Sequence, residues 1–162
     1  MEKKKGKFNL FYFLLSIILT LGTGFISASM NKNYMGFYKT LKRPVFAPPD
    51  IVFPIVWTIL YFLMGISLYN ILKSKEEGEH VNKALTLFFI QLFLNFLWPI
   101  IFFKKRLIFI AFLELVLLII FIILTIIEFY KKNKKAALLL IPYVLWCVFA
   151  AVLNFFIWFL NA

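Results

Sequence analysis

Cysteine, histidine and acidic side chains are scarce in this chain, and each scarcity removes a class of chemistry. Cys147 is the only cysteine and lies inside an apolar run, so an internal disulfide has no second partner and a structural zinc has no Cys/His cluster. His80 is the only histidine, and its charged surroundings, Glu76-Glu77-Gly78-Glu79-His80, read as a solvated loop. No His-Glu-x-x-His, no glycine-rich phosphate loop ending in Lys-Ser/Thr and no nucleophile elbow occurs. No histidine is placed to serve Cys147 as a base. Hydrolytic, phosphoryl and metal chemistry therefore have no candidate residues. The expectation is no metal site and no required cofactor.

What the chain has in excess is apolar surface. Apolar residues make up 64% of the 162, and 22 residues are Phe, while charged residues are only 15%. That is too little charge to coat a soluble particle, so lipid must be the second solvent. Five stretches are long enough to span a bilayer core, which takes about 20 helical residues: Phe8–Ser29, Ile51–Leu72, Lys83–Phe103, Leu107–Phe129 and Ala136–Leu160. Backbone groups in lipid must pair within their own segment, which favours helices. A membrane barrel would alternate polar and apolar residues, and Leu115–Ile123 does not. The predicted fold class is thus an all-α membrane protein, a bundle of five transmembrane helices. A structured loop joins helices one and two, and a single domain covers residues 1–162. The leading lysines, the apolar run and Ser27-Ala28-Ser29 resemble a secretory signal. The run from Phe8 to Phe25 exceeds the usual signal core of about 7–15 residues, so retention as the first helix is expected. No internal repeat points to an inverted-repeat transporter.

The net charge of +11 falls in short clusters between the apolar runs: Lys3-Lys4-Lys5, Lys42-Arg43, Lys104-Lys105-Arg106, and Lys131-Lys132 with Lys134-Lys135. Such clusters are headgroup and topology signals, and no nucleic-acid module accompanies them. With five spans, eleven of the 18 Lys and Arg fall on the N-terminal side and seven on the other. The positive-inside rule then puts the N-terminus in the cytoplasm.

Polar groups inside lipid are costly and ask for a partner or a purpose. Gln91, Asn95 and Trp98 share a face of helix three, and Trp146, Ala150, Asn154 and Trp158 recur at spacing four on helix five. Trp57 on helix two adds another indole. Two readings stand side by side: an aromatic pocket with a few polar anchors, or amides that bond between helices and indoles that mark the interface. Glu114 lies within a hydrophobic run, where pairing with Arg106 or Lys105 competes with a proton-coupled transport role. Glu128, beside Tyr130 and the lysine cluster, is expected to reach the interface. Pro54, Pro99 and Pro142 can kink helices or mark their ends. The loop Met30–Asp50 carries Phe37, Tyr38, Pro44, Phe46, Pro48 and Pro49, a composition for a stiff loop packed on the bundle, and it reads as a lid or as an aromatic belt.

These motifs, in order, resemble the TspO/MBR family, the translocator or tryptophan-rich sensory proteins. The resemblance runs through Phe37-Tyr38-Lys39-Thr40-Leu41-Lys42-Arg43-Pro44 and Ala47-Pro48-Pro49, then Val52-Phe53-Pro54, Trp57, Tyr61 and Met64-Gly65. It continues with Gln91, Asn95 and Trp98, then Phe102-Phe103, and ends with Pro142-Tyr143, Trp146, Ala150, Asn154 and Trp158. The family's usual Trp is replaced by Phe37 and Phe46, and the animal cholesterol segment is not matched around Phe155-Phe156 and Phe159. The resemblance implies a homodimer in a membrane of bacterial type. It also implies a cavity under the first loop that takes protoporphyrin IX, haem or similar hydrophobic small molecules for transport or tetrapyrrole signalling. Tyr38, Trp57, Asn95, Trp98, Trp146, Ala150 and Asn154 would contact ligand, with Phe37, Pro44, Pro48 and Pro49 in the lid. Alternatives are light- and oxygen-dependent porphyrin breakdown with Trp57 and Trp146 as redox partners, and proton-coupled export.

Overall fold

The computed structural model describes residues 8–31 and 34–162, so the basic residues at 3, 4, 5, 7 and 32 lie outside the described residues. Helix α1 runs Leu10–Met30, and the loop after it carries α2, Tyr34–Thr40. Helices α3, Val52–Glu76, and α4, Asn82–Pro99, follow, and a π-helical turn over Ile100–Lys104 extends α4. Then come α5, Ile108–Lys132, a short α6, Lys134–Leu138, and α7, Ile141–Asn161. Five of these helical units are long and apolar enough to cross a membrane, the last formed by α6 and α7 together. No strand occurs among the described residues. The fold is the five-helix bundle expected, with element ends displaced by one to four residues.

Local chemistry sets those ends. The Asn9 side chain caps α1 by accepting from the Tyr12 N–H at 3.3 Å. Asn133 closes α5 and opens α6, accepting from the Ala136 N–H at 3.1 Å. Pro54 and Pro142 stand in the first turns of α3 and α7, where a missing N–H costs nothing. Pro99 is different: at the end of α4 the backbone changes pitch, and the Lys105 N–H reaches back to the Ile100 carbonyl at 2.9 Å. Arg106 then takes φ 57°, turning the chain into the tight hairpin before α5.

Around the bundle α1 packs on α3 and α4, α4 on α5, and α5 on α7. The ring closes where α3 meets α7 through large side chains, Phe53 against Trp146 at 6.0 Å and Trp57 against Tyr143 at 6.3 Å between ring centroids. Helix α1 shows how a membrane bundle sorts residues. Phe11, Ile18 and Phe25, seven apart, are exposed toward lipid, while Ser16, Thr20 and Ser27 are buried against the neighbours. Small polar residues let helices approach, and their hydroxyls bond back to their own helix, as Thr20 does to the Ser16 carbonyl at 3.1 Å. Gly65 of α3 sits at the closest approach, where a Cβ would meet Ile17 Cδ1 at 2.7 Å and Thr20 Oγ1 at 2.8 Å.

The loop between α1 and α3 is folded onto the bundle. Asn161, at the end of α7, clamps the Lys42 peptide from both sides, accepting from its N–H at 3.0 Å and donating to its carbonyl at 2.9 Å. Arg43 pairs with Asp50 at 2.8 Å and lies over the Tyr38 ring, 5.1 Å from its centroid. Arg106 from the hairpin lies over Phe37 at the same distance. Phe46 packs on Phe149 and Phe156 of α7.

Candidate functional site

Beneath this loop lies a cavity of about 170 Å³. Tyr38 borders it from the loop, Trp57 from α3, Asn95 and Trp98 from α4, and Ala150 and Asn154 from α7. Helical spacing and the family resemblance together had grouped these residues, and the fold brings all six to one cavity. Trp146 does not border the cavity. Its ring is taken up by Phe53 and Phe149, at 6.0 and 5.2 Å, so it backs the wall instead of forming it. Trp158 packs on Phe109 and Phe155, away from the cavity. A stripe at strict spacing four advances about 40° per step, because 3.6 residues make a turn. Such a stripe winds off any face it starts on. The lid residues divide likewise: Phe37 packs on Phe102, which borders the cavity, whereas Pro44, Pro48 and Pro49 border a separate surface depression with Arg43 and Ala47.

The buried amides are engaged with neighbouring helices. The Tyr61 hydroxyl donates to Asn95 Oδ1. Asn95 Nδ2 donates to the Tyr143 hydroxyl at 3.0 Å, which in turn donates to Gln91 Oε1 at 2.8 Å. This chain ties α3, α4 and α7 together. Asn154 accepts from the Trp98 indole at 3.3 Å and donates to the Ile108 carbonyl at 2.8 Å, joining α7 to α4 and α5. The pocket and interhelical readings therefore apply to the same side chains.

Burial pushes the Tyr38 phenol above its ordinary range, and the Arg43 guanidinium opposes the shift. Arg43 makes no hydrogen bond of good geometry with that hydroxyl, which is buried and without a partner. Glu114 is buried in α5, and neither carboxylate oxygen has a hydrogen-bond partner. The pairing expected with Arg106 or Lys105 does not form, because the hairpin carries Arg106 away onto Phe37. Glu128 does reach charged neighbours, Lys83 at 2.9 Å and Lys131 at 2.8 Å. Sequence reasoning missed the contribution of α1, where Gly24, Ser27 and Asn31 border the cavity, and of the π turn, which brings Phe102 and Phe103 there. The one available signal was the polar pair Ser27 and Asn31, four apart at the end of an apolar run.

Residues 15–159 match the TspO/MBR family. This chain belongs to that family. It is similar to the tryptophan-rich protein TspO of Chlorobaculum tepidum, 42% identical over 148 residues, which cover 91% of this chain and 94% of the relative. The TspO protein of Archaeoglobus fulgidus is 39% identical over 155 residues, with 95% and 99% covered. The human translocator protein is 38% identical over 125 residues, with 75% and 73% covered. The family and the five spans together make this a multi-pass integral membrane protein.

Proposed function

We propose that this TspO/MBR protein binds tetrapyrroles, protoporphyrin IX or haem, and comparable flat hydrophobic molecules, in a transport or sensing role. The observation that carries the reading is the cavity itself, which the aromatic residues Tyr38, Trp57 and Trp98 border under a loop rich in positive charge. Flat apolar macrocycles stack on such rings. Lys39, Lys42, Lys104, Lys105 and Arg106 are exposed on the same end of the bundle, where ligand carboxylates would emerge.

Size adds a condition. A cavity of about 170 Å³ takes a benzene-sized group, not a whole macrocycle. Tetrapyrrole binding therefore requires the loop to lift. Titrating protoporphyrin IX into detergent-solubilised protein while following tryptophan fluorescence tests the reading. Saturable quenching is expected, and a folded protein that shows none sinks it. A homodimer belongs to the same proposal, and the mass of the protein in a lipid nanodisc measures it.

A further inference from the structure

Three polar atoms on the cavity-lining side chains have no hydrogen-bond partner: Ser27 Oγ and Asn31 Oδ1 at the end of α1, and the Tyr38 hydroxyl on the loop. All three residues are deeply buried, with 3%, 6% and 6% of their surface exposed. Ser27 and Asn31 stand one turn apart on one face of the chain. The Asn31 amide has a determined orientation, because Nδ2 donates to the Ser27 carbonyl at 2.7 Å, and the unpaired end is an acceptor. An unpaired buried polar group costs stability, and almost all such groups in folded proteins are satisfied. The three atoms are shielded at rest on residues that border one cavity, and they form a set that a ligand group can satisfy when their side chains turn toward it. Asn95 and Asn154, by contrast, are already bonded to protein at both ends of their amides.

We propose that Ser27, Asn31 and Tyr38 form a polar subsite for a neutral ligand group that carries both a donor and an acceptor, a carboxamide or a protonated carboxyl. Asn31 Oδ1 can only accept, so the ligand must bring an N–H or O–H. The two hydroxyls can donate, so a ligand carbonyl oxygen is served as well. An ester lacks the donor, and an ionised carboxylate would set oxygen against oxygen at Asn31. The apolar body of the ligand then lies against Trp57 and Trp98. The subsite rests on the cavity being a ligand site, not on the ligand being a tetrapyrrole.

The test compares protoporphyrin IX, its diamide and its dimethyl ester, which share one macrocycle. The unchanged protein should bind the diamide about tenfold more tightly than the diester. Ser27→Ala and Tyr38→Phe each delete one hydroxyl and little else. Each should weaken diamide and diester alike by about three- to tenfold, since both keep the carbonyl that the hydroxyls serve, and leave the preference for the diamide, which Asn31 sets, in place. The thermal midpoint of the ligand-free variants should hold or rise, because an unpaired buried hydroxyl is gone. Equal affinities for diamide and diester in the unchanged protein overturn the subsite. So does a fall in the midpoint of the ligand-free variants, which marks a structural role. If no macrocycle binds, the tetrapyrrole reading alone fails. Benzamide against methyl benzoate, small enough for the cavity as it stands, then decides, and equal affinities there overturn the subsite.

Discussion

Asn95 does two things at once, and mutation separates them. Its amide is bonded at both ends, to Tyr61 and Tyr143, and it borders the cavity. Asn95→Leu should leave the Tyr61 phenol without its acceptor in the core and take one donor from the Tyr143 hydroxyl, which keeps Gln91. Stability should fall by about 1–3 kcal/mol, read as a drop in thermal midpoint in detergent. An unchanged midpoint would mean that water or repacking replaces the amide. The indoles part company in a second measurement. Trp57 borders the cavity and Trp146 stands behind Phe53. Trp57→Phe should weaken protoporphyrin IX binding several-fold by absorbance titration, and Trp146→Phe should change it less than twofold. The same pair tests light-driven porphyrin breakdown, since only Trp57 is placed for direct contact. Much of the site was legible at this scale, because Gln91, Asn95 and Trp98 are unusual residues at helical spacing inside lipid. Ser27 and Asn31 were harder to read: polar residues near a helix end look like an interface, and only the bundle shows that they face inward.

Among the elements, the loop over residues 30–50 departs most from what an apolar pattern can show. Its prolines and aromatics implied a packed lid, while its attachments come from residues far away in sequence. Asn161 holds the Lys42 peptide, Arg106 covers Phe37, and Phe46 lies on α7. No local signal announces a clamp across 119 positions. Asn161→Ala removes both hydrogen bonds to Lys42, each worth about 1 kcal/mol, so amide exchange across residues 36–50 should quicken about five- to thirtyfold. The same variant should speed association of protoporphyrin IX, which needs the loop lifted, and leave association of a benzene-sized ligand unchanged. Exchange that stays at its original rate would show that Phe46 and Arg106 hold the loop without the clamp. The π turn was equally hidden. Hydropathy showed Pro99 inside a long span, but the change of pitch after it follows from the hairpin geometry that Arg106 closes.

At the scale of the whole molecule, the five spans were plain because lipid demands long apolar helices, whereas their order around the ring was not. Helices with apolar residues on every side carry no strong label for the inner face. The structure does fix which loops share a side. Asn9 donates to Glu76 at 2.9 Å, and Lys132 bonds Glu79 at 3.4 Å, so the N-terminal end of α1 lies with the α3–α4 and α5–α6 turns. The Lys42–Asn161 clamp puts the lid with the end of α7. The first side carries eleven basic and five acidic residues, the lid side seven basic and one acidic, so net charge is equal and gives no direction. The orientation rule counts Lys and Arg alone, and on that count we propose that the N-terminal side is cytoplasmic and the lid faces outward. Cys147 is fully buried, which keeps the natural background silent toward a membrane-impermeant maleimide. Lys105→Cys should therefore label in intact cells, and His80→Cys only after lysis. The reverse pattern would place the lid in the cytoplasm and make the cavity a site filled from inside the cell.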